Sequence, residues 1–345
     1  MATFGQWVEG ARPRTLPAAV APVIVGTAAA YYYLGAVLAF RGPSAPEPLG
    51  RGLTLLDPTK PFAVHAGGSQ ASTYALHEAH ATTSWTQFAL RALLALVVAL
   101  ALQVGVNYAN DYSDGIRGTD ADRVGPVRLV GQRLALASNV KLMAFLCFGF
   151  AGIVGLALVA LSGAWLMLPI GVLSVIAAWK YTGGERPYGY SGWGEVFVFV
   201  FFGLVATLGT QYTQLGHLTW FGLFAAVGIG AIASAILVVN NLRDIPGDTV
   251  AGKRTLAVRL GDRGTRLLWL ALLLVSVAAC TAMVIATPWA LLGLLAVPLV
   301  VPSARTILGG AQGRDLIPAL GATGLFEVVY AVLIAIGVIV AGALA

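Results

Sequence analysis

The chain is 345 residues long, 58% hydrophobic and only 10% charged, with a mean hydropathy of +0.82. Soluble globular proteins are about 45–50% apolar and about 25% charged, so this composition excludes an ordinary soluble domain. The net charge of +6, from 21 basic and 15 acidic residues, would suit nucleic acid only if the basic residues formed one patch, and their placement argues otherwise.

The N-terminal stretch MATFGQWVEGARPRTLPAAV has no signal-peptide layout and leads straight into an apolar run. A helix needs about 20 apolar residues to cross a bilayer. Runs of that kind are predicted near 16–40, 86–109, 142–161, 164–181, 194–213, 219–241, 267–286, 288–303 and 322–343. Unpaired backbone groups are not tolerated in lipid, so these runs are read as helices. Their uniform apolarity excludes the alternating pattern of a membrane barrel. The expectation is an all-α membrane protein with nine transmembrane helices and a cytoplasmic N-terminus. Cys147 and Cys280 fall inside apolar runs and are read as small core residues, with no disulfide framework or zinc pattern.

Between the first two spans, 41–85 is rich in Pro, Gly, Ser and Thr. It reads as a polar extracytoplasmic insertion in a single domain over 1–345, with a short surface helix near 74–80. His65, His77 and His80 are read as solvated residues of that loop rather than as a metal site.

Loop charge tests the span count. With the N-terminus inside, 17 basic residues fall in inner segments and only Arg41, Arg51, Lys60 and Arg91 fall outside, as the positive-inside rule requires. The eight tryptophans fall at or near span ends, as in an aromatic belt. Trp7, Trp179, Trp193 and Trp269 are placed at the inner side. The positive charge is therefore topological, and nucleic acid drops out.

Two acidic clusters break the apolar pattern. NYANDYSDGIRGTDADRVGP, from Asn107 to Pro126, holds Asp111, Asp114, Asp120 and Asp122. Asn107, Asn110, Asp111 and Asp114 recur at helical spacing, which puts them on one side of a helix end. NNLRDIPGD repeats the theme with Asn240, Asp244 and Asp248 at the inner end of the sixth span. Crowded carboxylates call for a cation. Oxygen-only ligands select Mg2+ over zinc, and Mg2+ completes its shell with water and substrate phosphates. Arg117, Arg123 and Arg128 in one loop, and Arg243, Lys253 and Arg254 in the other, suit a metal-bridged diphosphate.

At these residues the sequence resembles the UbiA-type intramembrane prenyltransferases, whose hallmarks are nine helices and Asp-rich motifs after the second and sixth. Asn110 and Asp114 match the first motif. Its third position is Gly118, and the acid arrives as Asp120 in GTD, a departure typical of the branch that prenylates dihydroxynaphthoate. Asp244 and Asp248 match the second motif in full. ARPRTLPAAVAPVIVGT, YTGGERPYGYSGWGEVFVFVFFG, GTQYTQ and NNLRDIPGDTVAGKRTLAVRLG look like the same branch.

The resemblance implies a helix bundle around a central cavity in the bacterial inner (plasma) membrane, with its active site open to the cytoplasm. It implies transfer of a polyprenyl group from a polyprenyl diphosphate to 1,4-dihydroxy-2-naphthoate. Asp114, Asp120, Asp244 and Asp248 would be the catalytic acids. Mg2+ would be held by Asn110, Asp114, Asp120, Asp244 and Asp248, with Asp111 ligating or holding a basic neighbour. Asn107, Arg128, Lys180, Tyr181, Arg243 and Lys253 would bind substrate. Tyr188, Tyr190 and Tyr212 are further candidates for stabilising an allylic cation. At Glu195, two readings stay open, substrate contact and a favourable charge at a helix N-terminus. Two rivals also stay open: another acceptor, such as 4-hydroxybenzoate, haem or a chlorophyllide, and a cation-coupled transporter, whose acids belong nearer mid-bilayer.

Overall fold

The computed structural model describes residues 2–34, 84–118 and 127–344. The described residues form helices and connecting turns, with no strand. A short helix α1 (Phe4–Gly10), capped reciprocally by Thr3 and Gln6, leads through a 3-10 turn at Pro13–Thr15 into α2 (Pro17–Tyr32). A proline in the first turn loses no bond, because its missing N–H would have no intrahelical partner there. The segments on either side of this junction meet at a 50° bend. Then come α3 (Trp85–Ile116), α4 (Ala137–Ser162), α5 (Met167–Lys180), α6 (Gly194–Leu215), α7 (Trp220–Val250), α8 (Leu256–Ile285), α9 (Pro288–Leu308) and α10 (Gly313–Leu344).

Every predicted span overlaps a helix, but nine full crossings is more than these helices establish. Seven are long and apolar enough to cross a membrane, or eight if the bent N-terminal pair counts as one span. The remaining apolar helix, α5, has 14 residues. At ~1.5 Å per residue it spans about 21 Å, less than the ~30 Å hydrocarbon core. The chain is a multi-pass membrane protein. The end of the first predicted span, the insertion up to residue 83 and its three histidines, and Asp120, Asp122 and Arg123 lie outside the described residues.

Three departures from the predicted helix limits bear on the site and its surroundings. α3 carries Asp111 and Asp114 and runs to Ile116, and α7 carries Asp244 and Asp248 and runs to Val250. Both carry their carboxylates on helix rather than loop. α8 begins at Leu256 and breaks at Gly261, whose φ of 69° and ψ of −179° suit a residue without Cβ. The Thr265 hydroxyl bridges the break by donating to the Gly261 carbonyl at 2.7 Å. The placement of Trp269 is also corrected. Rather than facing the membrane as a belt residue would, it is fully buried among the helices. In α6 the residues Phe199–Val205 form a π-helical segment, so the two halves of that helix are rotated out of simple α register. Of the FVFVFF rings, Phe197 stacks between Tyr188 (4.0 Å) and Phe201 (6.0 Å).

α7 is the central helix: 72% of its apolar window is buried, against 22–44% in the other six long spans. Lipid tails are as apolar as side chains, so membrane helices associate by close packing of small residues. α7 is built for this, with Gly222, Ala225, Ala226, Gly228, Gly230 and Ala231 all buried. At its crossing with α6, a Cβ on Gly203 would fall inside contact distance of the Gly230 Cα. At the end away from the acids, Gln211 donates to Thr219 (2.7 Å) and Gln214 to the Phe88 carbonyl (3.0 Å).

The crossing makes a stability prediction. Gly203→Val should cost about 3 kcal/mol or more, because the obstruction is backbone and has nowhere to move. Gly149→Val, where an added Cβ meets nothing within 4 Å, should leave thermal unfolding in detergent nearly unchanged. Equal midpoints for the two variants would refute the close crossing.

Candidate active site

The two acidic motifs meet. The Lys253 ammonium lies 3.4 Å from Asp114 Oδ1 and 3.8 Å from Asp248 Oδ1. Arg128 Nη1 lies 3.9 Å from Asp114 Oδ2. Arg243 forks onto its neighbour Asp244, with Nε and Nη2 each donating at 2.8 Å, and Nη2 also reaches Asn240 Oδ1 at 2.9 Å. Asp114, Asp244, Asp248, Arg128, Arg243 and Lys253 are all at most 9% exposed. Charges so far from water must be paired, and here three acids face three cations.

One loop closes over this cluster. The Tyr190 hydroxyl donates to Asp114 Oδ1, and its ring lies under the Lys253 ammonium at 4.5 Å and the Arg117 guanidinium at 5.3 Å. Burial, reinforced by the Asp114 carboxylate, pushes the Tyr190 phenol above its usual range, so it stays a proton donor. Arg117 donates to the carbonyls of Thr182 and Gly184, and the Arg254 N–H donates to the Tyr190 carbonyl at 2.9 Å. Arg117 is thus committed to holding the 181–193 segment against the end of α3.

Several expected site residues turn to positioning work. Asp111 accepts the backbone N–H groups of Leu129 (2.7 Å) and Val130 (3.0 Å), one on each oxygen. It anchors the segment that carries Arg128. The Asn107 amide donates to the Ala11 carbonyl (2.8 Å) and to Thr15 Oγ1 (2.9 Å), and Gln103 donates to the same Thr15 oxygen at 2.8 Å. These bonds pin the bent N-terminal arm to α3. Asn110 Oδ1 accepts from the Thr182 hydroxyl at 2.8 Å. Lys180 is exposed, and its ammonium lies over the turn at Gly184. Tyr181 packs edge-on against Tyr188 at 5.5 Å. The Tyr188 hydroxyl is spent on the Ala177 carbonyl at 2.8 Å. Asp120 lies outside the described residues.

Sequence reasoning did not assign the Asn241–Glu195 pair. Asn241 Nδ2 donates to Glu195 Oε1 at 2.8 Å. The signal was available, since Asn241, Asp244 and Asp248 stand at i, i+3 and i+7 on one face of α7. Thr182 carried no comparable signal, because its contact with Asn110 depends on how the loop folds back.

The pattern of the UbiA prenyltransferase family matches residues 71–314. The 1,4-dihydroxy-2-naphthoate octaprenyltransferase of Mycobacterium tuberculosis is 47% identical, over 97% of this chain and 97% of its own length. The protein of that name from Escherichia coli is 35% identical, over 88% of this chain and 84% of its own length. A solved digeranylgeranylglyceryl phosphate synthase shares the fold, with a TM-score of 0.56 and 12% identity, over 97% of this chain and 98% of that one.

Removing one partner of a buried ion pair typically costs about 3–5 kcal/mol. Lys253→Met should therefore lower thermal stability markedly, and adding Asp248→Asn to it should restore part of the loss. If the double variant is no more stable than Lys253→Met alone, Lys253 does not hold the two motifs together.

Proposed function

The chain belongs to the UbiA prenyltransferase family, and we propose that it transfers a polyprenyl group from a polyprenyl diphosphate to 1,4-dihydroxy-2-naphthoate. CO2 and diphosphate are lost, giving demethylmenaquinone in its reduced form. The observation that carries this reading is the junction of the two acidic motifs through Lys253, in a chain similar over nearly its full length to naphthoate prenyltransferases.

The donor set fits Mg2+. It offers oxygen ligands only, and among the described residues no three His, Cys, Asp or Glu side chains form a ready-made cage. That suits an ion that keeps water and takes substrate phosphates as ligands. Asn110, Asp114, Asp244 and Asp248 would hold it, with Asp120. Bound there, it would neutralise negative charge on the diphosphate oxygens.

The protein's own groups do the rest. Arg128, Arg243 and Lys253 are paired with the acids in this structure, and once the acids are engaged they turn to the diphosphate. As the bond from C1 of the prenyl chain to oxygen breaks, they stabilise the charge that builds on the leaving group. Tyr190 and Arg117 keep the covering loop closed, and the helices exclude the water that would quench an allylic cation. Asp111 positions the segment bearing Arg128, and Asn107 holds the N-terminal arm through Ala11 and Thr15. The basic residues predicted for the inner side include every cation of the acidic end, which supports a cytoplasmic position for that end in the bacterial inner membrane.

The test is product identification by mass, using purified protein in detergent, Mg2+, prenyl diphosphates of several lengths and each candidate acceptor. The expected product is a prenylated naphthalenediol lacking the carboxyl group. Product from 4-hydroxybenzoate alone would replace the acceptor, and turnover without any ion gradient removes the transporter. Asp114→Asn, Asp244→Asn and Asp248→Asn should each lower turnover more than ~10-fold. Near-normal activity in any two would sink the shared site. Loss of a charge-assisted contact costs about 1.5–3 kcal/mol, so Arg243→Gln should lower efficiency toward the prenyl diphosphate by roughly 10- to 100-fold and spare the naphthoate parameters.

A further inference from the structure

Glu195 stands at the start of α6, in the first turn below the covering loop, and is only 6% exposed. One carboxylate oxygen, Oε1, is held by Asn241 at 2.8 Å. The other, Oε2, is buried and makes no hydrogen bond among the described residues. A buried acceptor is almost always satisfied, and leaving one unmade is costly. If Glu195 served only to cap a helix or knit α6 to α7, it would have no reason to keep half of its carboxylate unused.

Its surroundings say where that oxygen lies. Asn241 is one turn from Asp244 and two from Asp248 on a single face of α7. Glu195 is therefore gripped one turn deeper into the membrane than the diphosphate-facing acids. The Glu195 backbone is fixed as well, its carbonyl accepting from the Ser234 hydroxyl at 3.1 Å. A Cβ added to Gly194, the residue before Glu195, would lie 3.6 Å from the Tyr181 hydroxyl, so Tyr181 packs against the start of α6. A rigid carboxylate with one open oxygen, one turn from the acids that would face the diphosphate, is suited to receive the ring acceptor as it approaches C1 of the prenyl chain.

We propose that Glu195 is the catalytic residue that binds the acceptor, taking the proton of the ring hydroxyl next to the carboxyl-bearing carbon. The proposal rests on the naphthoate reading above. As the carboxyl-bearing ring carbon forms its bond to C1 of the prenyl chain, the bond from C1 to the diphosphate oxygen breaks and diphosphate leaves with the electron pair. The adjacent hydroxyl gives its proton to Glu195 and becomes a ketone. The adduct is then a β-keto acid. Its carbon–carboxylate bond breaks, CO2 leaves, and the electron pair returns through the ring to the ketone oxygen. That oxygen recovers the proton from Glu195, so the carboxylate is regenerated and charge and atoms balance.

Two arms test this, and the first needs no variant. With wild-type protein, the acceptor methylated on the hydroxyl adjacent to the carboxyl-bearing carbon should give no product. The isomer methylated on the distant hydroxyl should still be prenylated. Comparable turnover of both would overturn the proposal. In the second arm, Glu195→Gln should lower kcat by roughly 100-fold or more, the scale of general-base catalysis. KM for the prenyl diphosphate should stay within about threefold, and the purified variant should still bind prenyl diphosphate with Mg2+. Glu195→Asp should recover part of the rate. Near-normal kcat in Glu195→Gln, or a loss confined to prenyl diphosphate KM, would refute the role. If wild-type protein makes no prenylated naphthalenediol, the function proposed above is at fault, and these arms separate that failure from a failure of Glu195.

Discussion

Six buried charges at one end of the bundle form the constraint on which the rest of the structure depends. Asp114, Asp244 and Asp248 cannot lie beneath a hydrophobic protein surface without cations, and Arg128, Arg243 and Lys253 supply them. Each cation has to be delivered, and much of the irregular structure does that work. Asp111 fixes the segment bearing Arg128. The turn after α7 presents Lys253, and the Arg254 N–H ties that turn to the Tyr190 loop. Arg243 needs no delivery, because it stands beside its own partner on α7.

The remainder of the bundle serves this end by holding α3 and α7 in register. α7 is lined with glycine and alanine so that α2, α6 and α8 can approach closely, and Gly203 meets Gly230 with no room for a side chain. The bent N-terminal arm is held separately, through Asn107, Gln103 and Thr15. A polar ladder at this depth is tolerated because the Asn107 and Gln103 amides find acceptors in the protein.

Much of this was legible in the sequence, for physical reasons. The bilayer forces long apolar helices, and helical spacing brings Asn110 to Asp114 and Asp244 to Asp248, so the meeting of the motifs could be anticipated. Three kinds of feature could not. A carboxylate gives the same local signal whether it faces a ligand or a backbone N–H, so spacing alone does not show that Asp111 accepts from Leu129 and Val130. A loop's return path is not periodic, so the roles of Arg117, Thr182 and Tyr190 were hidden. Packing inside the bundle is not read from a span boundary, so Trp269, which lies near a predicted span end, is fully buried instead of facing the membrane. The short α5 shows the same limit, because an apolar run marks a helix but does not fix how much of it is helical.

The pairing of Arg243 with Asp244 has a consequence for biogenesis. In domains organised by a structural metal, the ion is part of the folding reaction, and chelation unfolds the chain. Here the acids are already neutralised by cations encoded in the same sequence, some as near as the adjacent residue. The bundle can therefore insert and close in the membrane before any divalent ion or lipid substrate arrives. On the Mg2+ reading proposed above, metal supply would govern turnover rather than the survival of the protein.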